Sequence, residues 1–326
     1  MSILTKNKDA RQGRPPAPAP DGGTPTVRRR TVSERSRPLW LLTPGGLLIG
    51  LIIVIPLLLG VYISMLQLDQ YTIRKWVSAP FVGLSNFVEA FTATDMMHAF
   101  GNSVSFSIIA TLLTVPLGVF AALATQNAFR GRALVRSVFL IPYVLPSFVV
   151  GTFWRTMLQP DGIVNQFLMS VGLPAGQWLS GPASYWVLVM VEVWAAWPFI
   201  YLMALSGLQA VDQEVHEAAA IDGALWWTKL RYVIFPYLRG PVALACLIAT
   251  LHHIENFSLA FVLFGVPAPY DIQLLPTLVY SMSFTSLRFG VGAAMGLLSL
   301  LFIALPLYFY LRAVKLDTGA DSGAKK

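Results

Sequence analysis

Apolar positions in this chain follow neither a helical face nor a strand alternation. They come as long runs separated by short polar stretches. Six such runs stand out, at about residues 40–66, 104–125, 134–157, 185–208, 241–264 and 289–311. Each holds about 22 residues or more, roughly 33 Å of helix against roughly 30 Å of bilayer hydrocarbon. Ten-residue segments of alternating polarity, the mark of a membrane barrel, are absent. The pattern predicts an all-α, polytopic helical membrane protein with six transmembrane helices.

Composition agrees: 56% of residues are hydrophobic and 12% charged, about half the charged share of a soluble domain. The net charge of +7 raises nucleic acid as a partner, but the distribution of the basic residues argues against it. They gather before the first run, in the second loop (Arg130, Arg132, Arg136), in the fourth (Lys229, Arg231, Arg239) and after the last run (Arg312, Lys315, Lys325, Lys326). The odd-numbered loops hold only Arg74, Lys75 and the border residues Arg155 and Arg288. By the positive-inside rule both termini are cytoplasmic, which demands an even number of spans and so agrees with six. The expected location is the cytoplasmic membrane, multi-pass, with anionic lipid as the partner of the basic excess.

Residues 1–38, rich in Pro, Arg and Gly, are expected to form a disordered basic cytoplasmic tail. Residues 39–312 form the membrane domain and 313–326 a second cytoplasmic tail. Arg28-Arg29-Arg30 before an apolar run has the look of a twin-arginine signal. The run is too long for a signal core and lacks a small-residue cleavage site, so it reads as a retained helix. Cys246 is the only cysteine, which removes a disulfide framework.

Prolines mark where helices should break. Pro142 and Pro146 in the third run, and Pro198 within Trp194–Phe199 of the fourth, each remove a backbone donor. In a bilayer the freed carbonyls must face protein or a watery cavity, and transporters build substrate sites at such interruptions. The short loop 126–132 predicts that the second and third spans are antiparallel neighbours. Val82–Phe87 reads as a turn followed by a helix. Gly46 with Gly50, and Gly292 with Gly296, are spaced for close helix packing.

The loop 209–240 is the most informative segment. Charged and small residues alternate from Asp212 to Thr228, Gly223 permits a bend, and Pro236 marks the return to the membrane. The expected product is a short helix, a bend and a second, amphipathic helix carrying Leu225, Trp226, Trp227 and Leu230 at the interface. Glu217 beside three alanines makes a slim knob with one charge, suited to a cleft bearing an arginine.

Here the sequence resembles the membrane subunits of binding-protein-dependent ABC importers. Their signature is Glu-Ala-Ala, three residues, Gly, nine residues, Ile-x-Leu-Pro. It is matched by Glu217-Ala218-Ala219, Gly223 and Val233-Ile234-Phe235-Pro236, with Val and Phe for Ile and Leu. Gly83-Leu84-Ser85-Asn86-Phe87, Trp194 with Pro198-Phe199, Gly207-Leu208-Gln209 and Phe289-Gly290-x-Gly292-Ala293-Ala294 resemble the carbohydrate-importing branch.

The resemblance implies the type I (MetI-like) arrangement of six spans, with a coupling helix between the fourth and fifth. The ATPase contact would comprise Glu217, Ala218, Ala219, Asp222, Gly223 and Pro236. Expected partners are a second permease subunit, two cytoplasmic ATP-binding subunits and an extracytoplasmic sugar-binding protein. No Gly-x-x-x-x-Gly-Lys-Ser/Thr loop is present, so the chain is not itself an enzyme; ATP and Mg are expected in the partner ATPase. The sugar site implied by the resemblance draws on three spans: Tyr143 and Ser147 from the third, Ala195, Ala196 and Phe199 from the fourth, and His252, His253 and Asn256 from the fifth. Glu255 joins them as a carboxylate flanked by polar residues.

The substrate expected is a di- or oligosaccharide. Aromatic faces for stacking and a few placed polar groups suit one. A metal is not expected, since adjacent histidines point about 100° apart, unlike the i,i+4 zinc pair. Glu192 reads either as a sugar or proton ligand or as a charge paired within the bundle. Trp76, Trp178 and Trp186 read as interface anchors. Two rivals remain at this point: an ion-coupled secondary transporter using Glu192, Glu255 and His253 as a proton relay, and a membrane scaffold. Neither needs an exposed Glu-Ala-Ala helix.

Overall fold

The computed structural model describes residues 37–323, all-helical apart from one isolated bridge between Leu66 and Phe81. The tail 1–36 lies outside the described residues. Contacts divide the chain at Val54 into two compact units. The first contains α1 (Arg37–Ile49) and a π-turn over Gly50–Val54; a side chain at Gly46 or Gly50 would meet nothing within 4 Å.

The second unit begins with α2 (Ile55–Ser64), followed by a loop and α3 (Ser85–Thr92). In the loop Asp69 accepts hydrogen bonds from the backbone N–H of Tyr71 and Thr72. The Tyr71 N–H, foremost, holds the Asp69 carboxyl below the usual carboxylate range. The expected turn before α3 is present: Gly83 has φ +58°. Next come α4 (Met96–Thr125), α5 (Arg132–Val144), α6 (Ser147–Met157), α7 (Ile163–Ser170) and α8 (Ala183–Gln209). They are followed by α9 (Gln213–Ile221), α10 (Trp226–Lys229), a π-turn over Leu230–Ile234, and α11 (Phe235–Ile254). The chain closes with α12 (Ser258–Phe264), α13 (Leu275–Tyr280) and α14 (Phe289–Gly323).

Among the described residues four unbroken helical stretches are long and apolar enough to cross a membrane: Leu42–Ser64, Met96–Thr125, Ala183–Gln209 and Trp226–Ile254. Helices α5 and α6 pass the same test only together, bent by 92°, as a broken span or a re-entrant loop. The sixth expected run falls on α14, whose described apolar part, Phe289–Ala304, is shorter. Against the expected six, the described residues therefore give four such helices, or five if the bent pair is one span, and one shorter apolar helix at the sixth run.

Several expectations are corrected. The fourth run is not broken at Trp194–Phe199; α8 continues through Pro198. One proline removes one donor, and α8 packs on α4, α5 and α11, so tertiary contact retains the helix. The third run does break, because Leu145, preceding Pro146, is driven to extended backbone (φ −74°, ψ 133°). The fifth run was expected to reach residue 264. It ends at Ile254 and resumes as α12 after Glu255, Asn256 and Phe257. No separate interfacial helix follows Gly223, since Trp226–Ile254 is continuous; Trp226 and Trp227 are nonetheless exposed. The expected contact of the third span with the second is present through α5, whose Phe139 and Leu140 pack with Ala121 and Ala122 of α4 and whose Arg136 donates to the Thr125 carbonyl at 2.8 Å; α5 packs further on α8, and α6 on α12.

The core of the unit is the layer in which α4, α8 and α11 meet. Small and polar side chains allow the approach and tie it together. Ser107 donates to the Thr250 carbonyl at 2.7 Å, and the Thr111 and Thr250 hydroxyls lie 3.2 Å apart. Gly292 packs where a side chain would strike Ser283, while a Cβ on Gly296 would lie 3.9 Å from Val279.

Candidate functional site

A cavity of about 250 Å³ opens between the α5–α6 bend, α8 and α11. The bend creates it: at Leu145 and Pro146 the chain turns away from α8, and helix backbone no longer fills that space. Tyr143 and Ser147 flank the bend and line the cavity. Ala195, Ala196 and Phe199 line it from α8, and His252 and His253 from α11. The Tyr143 and Phe199 rings are stacked, with centroids 6.1 Å apart and planes 26° apart. Small residues at 195 and 196 keep the middle of α8 from filling the hollow.

Two residues of the predicted set are placed otherwise. Asn256 does not line the cavity; it is buried behind it and bonded to Glu192. Glu255 is exposed and lines a separate hollow of about 420 Å³ together with Tyr280, Ser283 and Ser299. The reason is the helix ending at Ile254: the last turn of α11 carries His253 inward, and the reversal that follows turns Glu255 away.

Glu192 is the residue that the sequence left open. It is 3% exposed and lines the cavity. Oε1 receives a contact from His253 Nδ1 at 2.8 Å, and Oε2 accepts from Asn256 Nδ2 at 2.5 Å. His252, 67% exposed in its side chain, brings Nε2 to 4.0 Å from Oε1. A buried carboxylate needs such partners, since an unpaired charge in a low-dielectric interior is strongly disfavoured. His253 is fully buried, with its ring edge-on to Phe106. Its Nε2 and the Asn256 Oδ1 are buried without a partner among the described residues. Only the polar interruption His252–Asn256, sixty residues downstream in the chain, hinted that Glu192 had company.

The second candidate region is α9. Glu217, Ala218 and Asp222 are exposed, as is Ile221 at 86%. Ala219 is buried and so lies outside the exposed surface. Gly223 closes the helix with φ +68°, and Ala224 N–H bonds back to the Ala219 carbonyl at 3.0 Å. This is the left-handed helix cap that glycine favours. Pro236 sits in the first turn of α11, well along the rod from α9.

Among the three tryptophans read as interface anchors, Trp76 and Trp186 are exposed. Trp178 is corrected: it packs against the core around Phe106 and donates Nε1–H to Asn165 Oδ1 at 2.9 Å.

Residues 114–315 match the family of binding-protein-dependent transport system inner membrane components. This chain belongs to that family. It is therefore a multi-pass membrane protein. It is 28% identical, over 78% of its length and 90% of the relative's, to the trehalose/maltose transport system permease protein MalF of Thermococcus litoralis. It is also 28% identical to the maltodextrin transport system permease protein MdxF of Bacillus subtilis, across 81% of this chain and 66% of that protein. The fold matches a chain of a bacterial alginate ABC transporter solved with an alginate pentasaccharide-bound periplasmic protein. That match has a TM-score of 0.72 at 19% identity and covers 84% of this chain and 93% of the other.

Proposed function

We propose that this chain is the membrane subunit of an ATP-driven ABC importer that moves a di- or oligosaccharide across the cytoplasmic membrane by alternating access. The observation that carries the reading is the continuity of one helical rod. Residues 226–254 run without interruption from the loop bearing exposed Glu217 to the cavity wall at His253. At about 1.5 Å per residue such a rod spans roughly 44 Å, so displacement of α9 by a partner is delivered to the cavity. On its other side α9 is joined to α8, which supplies Glu192, Ala195, Ala196 and Phe199.

In this reading α9 inserts Glu217, Ala218 and Ile221 into a cytoplasmic ATPase subunit, where ATP and Mg act. The termini are cytoplasmic. A second membrane subunit completes the pathway, and an extracytoplasmic binding protein delivers the sugar. The names of relatives that carry trehalose, maltose and maltodextrin support the substrate class. The cavity supports it chemically, with two aromatic faces and a small group of hydrogen-bonding side chains. An ion-coupled carrier would leave the family match and the exposed α9 without a use.

The test is reconstitution in liposomes with the cognate ATPase and binding protein. Maltose or trehalose is expected to raise ATP hydrolysis, and uptake to stop without ATP. Uptake driven by a proton gradient with no ATPase present would refute the proposal.

A further inference from the structure

Around one hollow of about 390 Å³, α4 and α8 come to their ends while α5 and the rod that starts at Trp226 begin. A place where two apolar helices end and two others start is a boundary between membrane and water. The walls of the hollow are mostly polar. Arg132 opens α5 and Lys229 lies in the first turn of the rod; both line the hollow and both are partly buried. Neither side chain makes a hydrogen bond or ion pair among the described residues. The amides of Gln126, Asn127 and Gln209 line it as well, and no carboxylate does.

Two cations drawn partly out of water without a counter-charge disfavour each other and the burial, and arginine cannot shed its proton. Capping of helix ends does not account for them. Arg136, one turn along α5, serves that purpose by donating to the Thr125 carbonyl at 2.8 Å, whereas Arg132 and Lys229 make no such bond. The hollow therefore suits an anion with several acceptor oxygens, and its volume is far larger than an inorganic ion needs.

The surroundings indicate what carries that anion. Trp226 lines the hollow and is exposed, as is Trp227 beside it; tryptophan is favoured at the level of lipid headgroups. Deeper along the same two helices the surface is apolar. Leu134, Val138 and Ile141 on α5 are exposed, and so are Tyr232 and Phe235 on the rod. Such faces accommodate acyl chains below a headgroup.

We propose that this hollow binds the phosphate group of an anionic glycerophospholipid such as phosphatidylglycerol. Arg132 and Lys229 hold the phosphate oxygens, and the three amides meet the glycerol oxygens. Basic pockets between membrane helices take lipid phosphates in this way. The headgroup bridges α5 to the base of the rod. The inference narrows the general attraction of basic loops for anionic lipid to one site, and it depends on neither the sugar nor the orientation proposed above.

The complete transporter, permease with its ATPase, is purified in detergent and titrated with phosphatidylglycerol or zwitterionic phosphatidylcholine, and bound lipid is counted by native mass spectrometry. The wild type is expected to hold phosphatidylglycerol about tenfold more tightly. Arg132→Gln combined with Lys229→Gln should lose that preference, and Lys229→Gln alone should lose part of it. Arg130→Gln combined with Arg231→Gln removes the same charge from exposed neighbours outside the hollow and should keep it. If the first pair fails to assemble, Lys229→Gln against Arg231→Gln makes the same comparison. Equal loss in the control pair would reduce the effect to general surface charge and overturn the proposal, as would a wild type with no preference. Displacement of the lipid by inorganic phosphate, beyond that by chloride at equal ionic strength, would assign the hollow to a soluble anion and overturn the lipid source. Retention of phosphatidylglycerol only after the ATPase is stripped away would give the hollow to the ATPase contact instead.

Discussion

Gly118 on α4 lies so close to Ile200 on α8 that a methyl group on residue 118 would sit 2.6 Å from the Ile200 Cβ and 2.8 Å from the Tyr201 backbone nitrogen. Backbone cannot move aside as a flexible side chain can. Gly118→Ala is therefore expected to destabilise the bundle by about 1–3 kcal/mol through overpacking. It should lower the melting temperature of the purified protein in detergent. Gly101→Ala is the control: it sits in the same helix with nothing within 4 Å, and alanine there should leave the melting temperature unchanged or slightly raised.

Gly223 tests the cap of α9 without touching packing. A side chain there meets nothing within 4 Å, but its φ of +68° disfavours L-residues by about 1–2 kcal/mol. Asparagine tolerates this region far better than a β-branched residue. Gly223→Asn should keep most of the co-purified ATPase and of the ATP-driven uptake, and Gly223→Val should lose most of both. Equal behaviour of the two variants would separate the cap from the proposed partner contact.

Asn86, inside the Gly-Leu-Ser-Asn-Phe motif, donates from Nδ2 to the carbonyls of Ser64 and Leu66, each at 2.8 Å. It is buried, and the end of α2 depends on it to satisfy orphan carbonyls. Asn86→Ala removes the donor from the Ser64 carbonyl, while the Leu66 carbonyl keeps the Leu68 N–H at 2.9 Å, so a loss of about 1–3 kcal/mol and a fall in melting temperature and in membrane yield are expected. Ion pairing between Arg288 and Glu89 fastens α3 nearby. Both side chains are partly exposed, and removing that pair should cost about 1 kcal/mol or less.

Asn165 plays the same part for the segment 158–182. Its Oδ1 accepts from Gly176 N–H and Trp178 Nε1–H, both at 2.9 Å, and its Nδ2 donates to the Gly176 carbonyl at 3.0 Å. Asn165→Ala should free Trp178 from the core, visible as a red-shifted and more quenchable tryptophan emission. Asn165→Asp should retain the two accepted bonds and so most of the native spectrum. If this loop faces the binding protein, stimulation by that protein should fall in the alanine variant more than basal ATP hydrolysis does.

The long apolar runs, the all-α class and the exposed helix of the loop 209–240 were legible along the chain because each is a local property. Hydrocarbon thickness sets the run length, and glycine at 223 is read from backbone sterics alone. Half of the cavity lining was legible too, through motif residues from Tyr143 to His253. What local reading misjudged was continuity. Pro198 and Pro146 carry the same intrinsic penalty, yet one helix persists and the other bends by 92°, because neighbouring helices clamp α8 and leave the Leu145–Pro146 junction beside a hollow. The direction of the acidic pair was misjudged for a similar reason. Glu255 is surrounded by polar residues in sequence, and Glu192 by apolar ones. The turn after Ile254 nevertheless sends Glu255 outward and brings His253 and Asn256 onto Glu192. Sequence alone determined which segments are apolar enough to enter a membrane, since that is a property of each run by itself. Only the packing of helices distant in the chain decided which carboxylate is buried, since burial of a charge depends on partners that composition does not place beside it.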